Sequence, residues 1–140
     1  MNSYKRKVNY YETDKMGVTH HSNYIRWMEE ARIDLLEQVG YTYDRLEKEG
    51  VCSPVIGVEC EYKTPTTFSD EIEIKVEMEE YTGVRMVIKY TMTNVATGDL
   101  VLTGKTKHCF FGKDNRPIML KKEAPEMDAV MRGLLENKLD

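Results

Sequence analysis

The sequence predicts an α+β domain in which a five-stranded, mainly antiparallel sheet is wrapped on one long central helix. Three observations predict it. Apolar residues recur at spacings of three and four over Ser22–Val39. From Val51 onward the period changes to two and persists through four segments. Short turns join those segments with no further crossover helix, so neighbouring strands should run antiparallel.

Each element has its own signal. Tyr4–Tyr10, rich in Tyr and Val, reads as a first strand. A loop over residues 10–21 follows, carrying Asp14, Gly17, His20 and His21. The long helix places Tyr24, Ile25, Trp27, Met28, Ala31, Leu35, Leu36 and Val39 in a stripe wide enough to lie across a sheet. Arg26 and Glu30 stand at i,i+4 on its other side. Ser22 or Asn23 is suited to cap its start, and Gly40 to sit just past its end. A short second helix over Tyr43–Glu49 ends at Gly50.

The strands follow. Ile56, Val58, Cys60 and Tyr62 alternate with Glu59, Glu61 and Lys63. Over Glu71–Tyr81, Ile72, Ile74, Val76 and Met78 form an apolar face against a charged one, the pattern of a half-buried strand. Tyr81-Thr82-Gly83 turns the chain into a third alternating run, Val84 to Met92. Asn94–Asp99 has hairpin chemistry and leads into a last strand, Leu100–Phe111, ended by Asp114–Pro117. Glu123–Leu139 recovers helical spacing, with Pro125 in its first turn.

The totals exclude several classes. A chain of 140 residues suits one domain with a real core. A net charge of −4 makes nucleic acid a poor partner. No stretch has the apolar run that spans a bilayer. The basic start, MNSYKRKVNYYE, has no apolar segment behind it and is not a secretory signal, so a cytoplasmic location is expected. Cys52, Cys60 and Cys109 lack CxxC spacing, which argues for reduced thiols rather than a disulfide framework or zinc site.

The loop at residues 10–21 brings a carboxylate to a helix N-terminus, where free N–H groups and the dipole favour developing negative charge. That suits chemistry on a carbonyl. On spacing alone, Asp14 reads as a loop or capping aspartate, and Gly17 as a turn glycine with φ > 0. His20 and His21 are adjacent rather than i,i+4, and His108 is the only other histidine, so neither a metal nor another cofactor is expected. His108 and Cys109, adjacent on one strand, point to opposite faces and cannot form a catalytic pair. There is no GxSxG elbow, and the run around Gly57 lacks the glycine spacing and lysine of a phosphate loop.

The run TDKMG…HHSNY…EEAR places Asp14, Gly17, His21, Asn23, Tyr24 and Arg32 in a recognisable order. Gly40, Glu49-Gly50, Pro54-Val55, Tyr62…Pro65, Asp70 and Gly98 extend it. Over roughly Val8–Leu120 the chain resembles the hotdog-fold acyl-CoA thioesterases of the 4-hydroxybenzoyl-CoA thioesterase family, in the branch that includes the Tol–Pal-associated thioesterases. It departs at Thr19 and His20, where that branch usually has Val then Tyr, beside the expected pocket. The resemblance implies hydrolysis of acyl-CoA thioesters to free acid and coenzyme A. It implies Asp14 as general base or nucleophile and the backbone N–H near His21 as oxyanion donor, with the His21 side chain holding the loop or orienting the thioester. Gly17, Asn23, Tyr24 and Trp27 are then expected to form the substrate site, although residues such as Trp27 and Met28 are more often core, and in this fold a helix residue can be both. Lys63, Arg85, Lys105, Lys107 and Arg116 are candidates for the coenzyme phosphates.

Two other readings stand beside this one: hydrolysis of acyl-carrier-protein thioesters, which the acidic net charge disfavours, and a non-catalytic acyl-binding protein, which an intact Asp14 disfavours. A hotdog hydratase would want His five residues after its Asp, where this chain has Thr19. One helix cannot cover both faces of the sheet, and one chain leaves two strand edges open, so a homodimer or homotetramer is expected.

Overall fold

The computed structural model describes residues 2–137. Strand β1 (Tyr4–Lys7) leads through a single 3-10 turn (Tyr10–Glu12) and the loop to helix α1 (Ser22–Gln38) and helix α2 (Tyr43–Glu49). Strands β2 (Val55–Tyr62), β3 (Glu71–Tyr81), β4 (Arg85–Asn94) and β5 (Leu100–Cys109) follow, then helices α3 (Leu120–Glu123) and α4 (Pro125–Asn137). The five strands form one sheet in the order β1-β3-β4-β5-β2, and every pair is antiparallel. This is the predicted architecture.

Period two decides which residues meet the helix. Ile72 and Ile74 of β3, Ile88, Tyr90 and Met92 of β4, and Leu102 of β5 are buried, and Trp27, Met28, Ala31 and Leu35 of α1 are buried with them in one core. Gly104 of β5 lets α1 ride close: a Cβ there would stand 3.0 Å from both Met28 Sδ and the Glu59 carbonyl oxygen. Gly50 ends α2 in the left-handed conformation at φ 69°, as its position after the helix requires.

Two expectations need correction. The first strand stops at Lys7, because Asn9 and Glu12 form a capping box that winds Tyr10–Glu12 into a 3-10 turn. The C-terminal helix is two helices: α3 ends at Glu123, and Pro125, which has no N–H to continue a helix, opens α4 instead. Leu139 lies outside the described residues. Glu30 accepts from Tyr4 Oη at 3.0 Å and lies 3.4 Å from Arg6 Nε.

Strand β2 forms at an edge and keeps its inward face uncovered. Val55, Val58 and Tyr62 are 43%, 42% and 51% exposed although they pair with the buried His108, Thr106 and Leu102 on the helix side of the sheet. Helix α1 leans instead toward β1, where Glu30 meets Tyr4 and Arg6.

Candidate active site

The loop ahead of α1 is held by a residue that sequence reasoning overlooked. Glu12 is buried, and its carboxylate accepts from Arg6 Nη1 at 2.9 Å, Arg6 Nη2 at 3.1 Å, the Asn9 N–H at 2.8 Å and Trp27 Nε1 at 2.8 Å. The Arg6 guanidinium also lies 4.5 Å from the centre of the Trp27 ring. The Glu12 carbonyl accepts from the His20 N–H at 2.8 Å and Asn23 Nδ2 at 3.0 Å. One residue therefore ties β1, both ends of the loop and α1 together. The N-x-x-E spacing of Asn9 and Glu12 was the available signal.

Asp14 begins a tight turn. Its carbonyl accepts from the Gly17 N–H at 3.0 Å, and its own N–H donates to the Val18 carbonyl at 2.9 Å. Gly17 has φ 81°, as expected for a residue without a Cβ at this place. Asp14 Oδ1 accepts from the Met16 N–H at 2.8 Å, while the hydrogen bonds among the described residues leave Oδ2 without a partner. The half-buried carboxylate is thus fixed through one oxygen and available through the other.

The start of α1 is capped differently from the expectation. Ser22 and Asn23 lie inside the helix, and His21 occupies the N-cap position. His20 supplies the capping acceptor: its Nδ1 lies 3.2 Å from the Ser22 N–H and 2.9 Å from Ser22 Oγ. Asn23, expected to meet substrate, is buried and spends its amide on the Glu12 and His20 carbonyls. The exposed His21 ring stacks on His20 with centroids 4.3 Å apart. No hydrogen bond among the described residues engages the His21 N–H.

A cleft of about 200 Å³ opens beside this helix start, lined by residues that include Thr19, His21, Tyr24, Tyr62, Lys63 and Val101. Tyr24 and Tyr62 have ring centroids 5.7 Å apart, and Tyr24 Oη lies 3.0 Å from Thr66 Oγ1. Of the five basic candidates, Lys63 alone lines the cleft; Lys105 pairs with Glu79, Lys107 lies near Glu59, and Arg116 near Asp114. Asp14, Gly17, Asn23 and Trp27 do not line it, and Trp27 has no exposed surface. A larger hollow of about 500 Å³, between α2 and the turn at residues 112–115, involves neither Asp14 nor the start of α1. Among the described residues no cluster of three or more His, Cys, Asp or Glu could hold a metal.

His108 and Cys109 do point apart, His108 fully buried and Cys109 partly exposed on the other face. Both ring nitrogens of His108 are hydrogen-bonded. Its Nδ1 lies 2.9 Å from the Ser53 carbonyl oxygen and its Nε2 2.8 Å from Thr106 Oγ1. Thr106 Oγ1 is 2.7 Å from Tyr90 Oη, which accepts from Arg32 Nη1 at 3.1 Å. Burial holds the imidazole pKa below its ordinary value, so it is neutral at pH 7.

A five-stranded antiparallel sheet wrapped on one long helix, with a carboxylate loop at that helix's first turn, is the hotdog fold. Residues 8–135 match the thioesterase-like superfamily, and the chain belongs to it. Among its relatives is YneP of Bacillus subtilis, provisionally named an acyl-CoA thioesterase. It is 35% identical over 121 residues, which cover 86% of this chain and 87% of that protein. The acyl-CoA thioester hydrolase YbgC of Escherichia coli is 30% identical over 88 residues, 63% of this chain and 66% of YbgC. The crystal structure of a DHNA-CoA thioesterase from Staphylococcus aureus superposes with a TM-score of 0.87 at 33% identity, covering 97% of this chain and 93% of that one.

Proposed function

We propose that this protein hydrolyses acyl-CoA thioesters, with Asp14 as base or nucleophile and the His21 N–H as oxyanion donor. One observation carries the reading: a carboxylate with a free oxygen, Asp14, and an uncommitted backbone N–H, at His21, belong to one loop ahead of α1, and Glu12 ties the two ends of that loop together. A thioester leaves as a thiolate, whose parent thiol has a pKa of about 8.5, so no strong acid is needed. Activation of water, or direct attack, and stabilisation of the oxyanion are sufficient. The names of YneP, YbgC and the S. aureus enzyme support the same chemistry.

The placement beside the 4-hydroxybenzoyl-CoA and Tol–Pal-associated branch rests on the signature from Asp14 to Arg32. The two departures keep structural work in this chain: Thr19 Oγ1 lies 2.6 Å from Thr66 Oγ1, and His20 caps α1. Three free cysteines fit a reducing cytoplasm. No described helix is long and apolar enough to cross a membrane.

The assembly in this reading is a dimer. Strand β2 presents an unpaired edge and an exposed apolar face, which proteins normally cover. Two sheets joined edge to edge through β2 would pair the open edge and place the cleft, to which Tyr62 of β2 contributes, at the interface. Sedimentation equilibrium is expected to give twice the chain mass or a multiple of it; a fully active monomer at assay concentration would refute the arrangement.

The enzymatic reading is tested by a panel of acyl-CoAs assayed for thiol release. Turnover of at least one acyl class is expected. Tight binding of acyl-CoA with no hydrolysis across the panel would establish the non-catalytic binder instead.

A further inference from the structure

The geometry points to Arg32 as a specificity-determining residue that receives a distal carboxylate on the acyl group of the substrate. The inference rests on the thioesterase reading above and names the substrate class of that same site.

At about 100° per residue, Arg32 lies roughly 160° round α1 from Glu30. Glu30 is the residue that faces β1, so Arg32 stands on the flank toward β2. Three contacts show how that flank tracks the sheet: Tyr24 beside Tyr62, Met28 over Gly104, and Arg32 on Tyr90, whose hydroxyl reaches Thr106. Gly104 and Thr106 pair in register with Cys60 and Val58 of β2. The exposed side chains of Tyr62 and Val58, with part-buried Cys60 between them, therefore form an apolar strip along α1 from the helix start toward Arg32. Its length from His21 is about 16 Å along the helix axis, less the reach of an arginine side chain that leans toward the N-terminus.

The Ser53 carbonyl can only accept, so His108 donates from Nδ1. The Nε2 of a neutral imidazole then accepts, so the Thr106 hydroxyl donates to it. Thr106 Oγ1 in turn accepts from the Tyr90 hydroxyl, and Tyr90 accepts from Arg32. Every hydrogen of this buried chain is spent. What remains is the guanidinium, which uses one N–H on Tyr90 and has no carboxylate within salt-bridge distance among the described residues. A half-buried cation with spare, forked N–H groups at the end of an apolar strip matches a carboxylate, the planar acceptor it can bind through two parallel bonds. An acyl group that is hydrocarbon throughout leaves those N–H groups to solvent alone.

The test uses straight-chain acyl-CoAs in matched pairs of equal length, with and without a terminal carboxylate, over a series of lengths. Wild type is expected to show at least about tenfold higher kcat/KM for the carboxylated member at one or more lengths. Arg32→Gln is expected to remove that preference while leaving the uncharged member within about threefold, and Arg32→Lys to keep part of it. Thioether analogues of the same pairs, measured by calorimetry, read the preference without turnover. Equal rates and affinities for both members at every length in wild type would overturn the inference, as would a preference that survives in folded Arg32→Gln. If Arg32→Gln does not fold, the wild-type pairs and Arg32→Lys decide. Absence of all hydrolysis would instead defeat the thioesterase reading, and the analogue affinities would still decide the role of Arg32.

Discussion

Trp27 Nε1 donates to Glu12 Oε2 at 2.8 Å, on the same carboxylate that Arg6 grips with two nitrogens, so helix α1 and strand β1 are joined through one buried charge. The loop that carries Asp14 leaves from this junction. Glu12→Gln would leave the Arg6 guanidinium facing an amide, with Glu30 3.4 Å from Nε as its remaining carboxylate. Breaking a buried pair in this way costs about 3–5 kcal/mol. Trp27→Phe removes a single charge-assisted bond, worth about 1.5–3 kcal/mol, and should be milder. Urea denaturation of both variants checks the order. Glu12→Gln within about 1 kcal/mol of wild type would show that the junction does not hold the fold.

His108 gives the protein a pH dependence of known sign. Burial depresses its folded pKa, so the folded state resists protonation while the unfolded chain takes up a proton near pH 6.5. Protonation would also force Nε2 to donate toward Thr106 and reverse the hydrogen-bond chain back to Tyr90. Stability from this group is complete above the unfolded value. It is lost as pH falls through that value toward the folded one, with a slope of at most about 1.4 kcal/mol per pH unit. Denaturation midpoints from pH 8 to pH 5 should fall in wild type, and His108→Gln should flatten that part of the profile. An unchanged slope in the variant would assign the dependence to other groups.

The His21 N–H can be removed with little disturbance to the backbone there. His21 has φ −57°, close to the value proline imposes. His21→Pro should therefore lower kcat by about 10²-fold or more, the usual loss for one oxyanion donor, with the helix retained by circular dichroism. His21→Ala keeps the N–H and should be milder. If the alanine variant is the more damaged of two folded proteins, the imidazole matters more than the backbone.

Much of this was legible in the sequence because period and turn chemistry are local. The bounds of α2 and β3 follow from spacing and flanking glycine or turn residues alone. The positive φ of Gly17 and the start of α1 at Ser22 were legible for the same reason. What escaped was long-range pairing. Trp27 and Asn23 looked like pocket residues, yet their polar atoms go to Glu12, 15 and 11 residues away. The chain from Arg32 to Ser53 joins helix, two strands and a loop, and no periodicity announces it. Strand β2 alternates like a buried strand, but α1 leans toward β1 and leaves its inner face open.

The central claim is that the Asp14 carboxylate does the chemistry, and Asp14→Asn tests it most directly. The amide keeps the side-chain shape and the oxygen that accepts from the Met16 N–H, but it is a poor base and a poor nucleophile. Thiol release from the best acyl-CoA of the panel should fall by at least about 10²-fold, the low end of what a positioned acid–base group contributes. Affinity for its thioether analogue should stay near wild type. Hydrolysis by Asp14→Asn at the wild-type rate would contradict the account, because the reaction would then not depend on the one carboxylate that the loop holds ready.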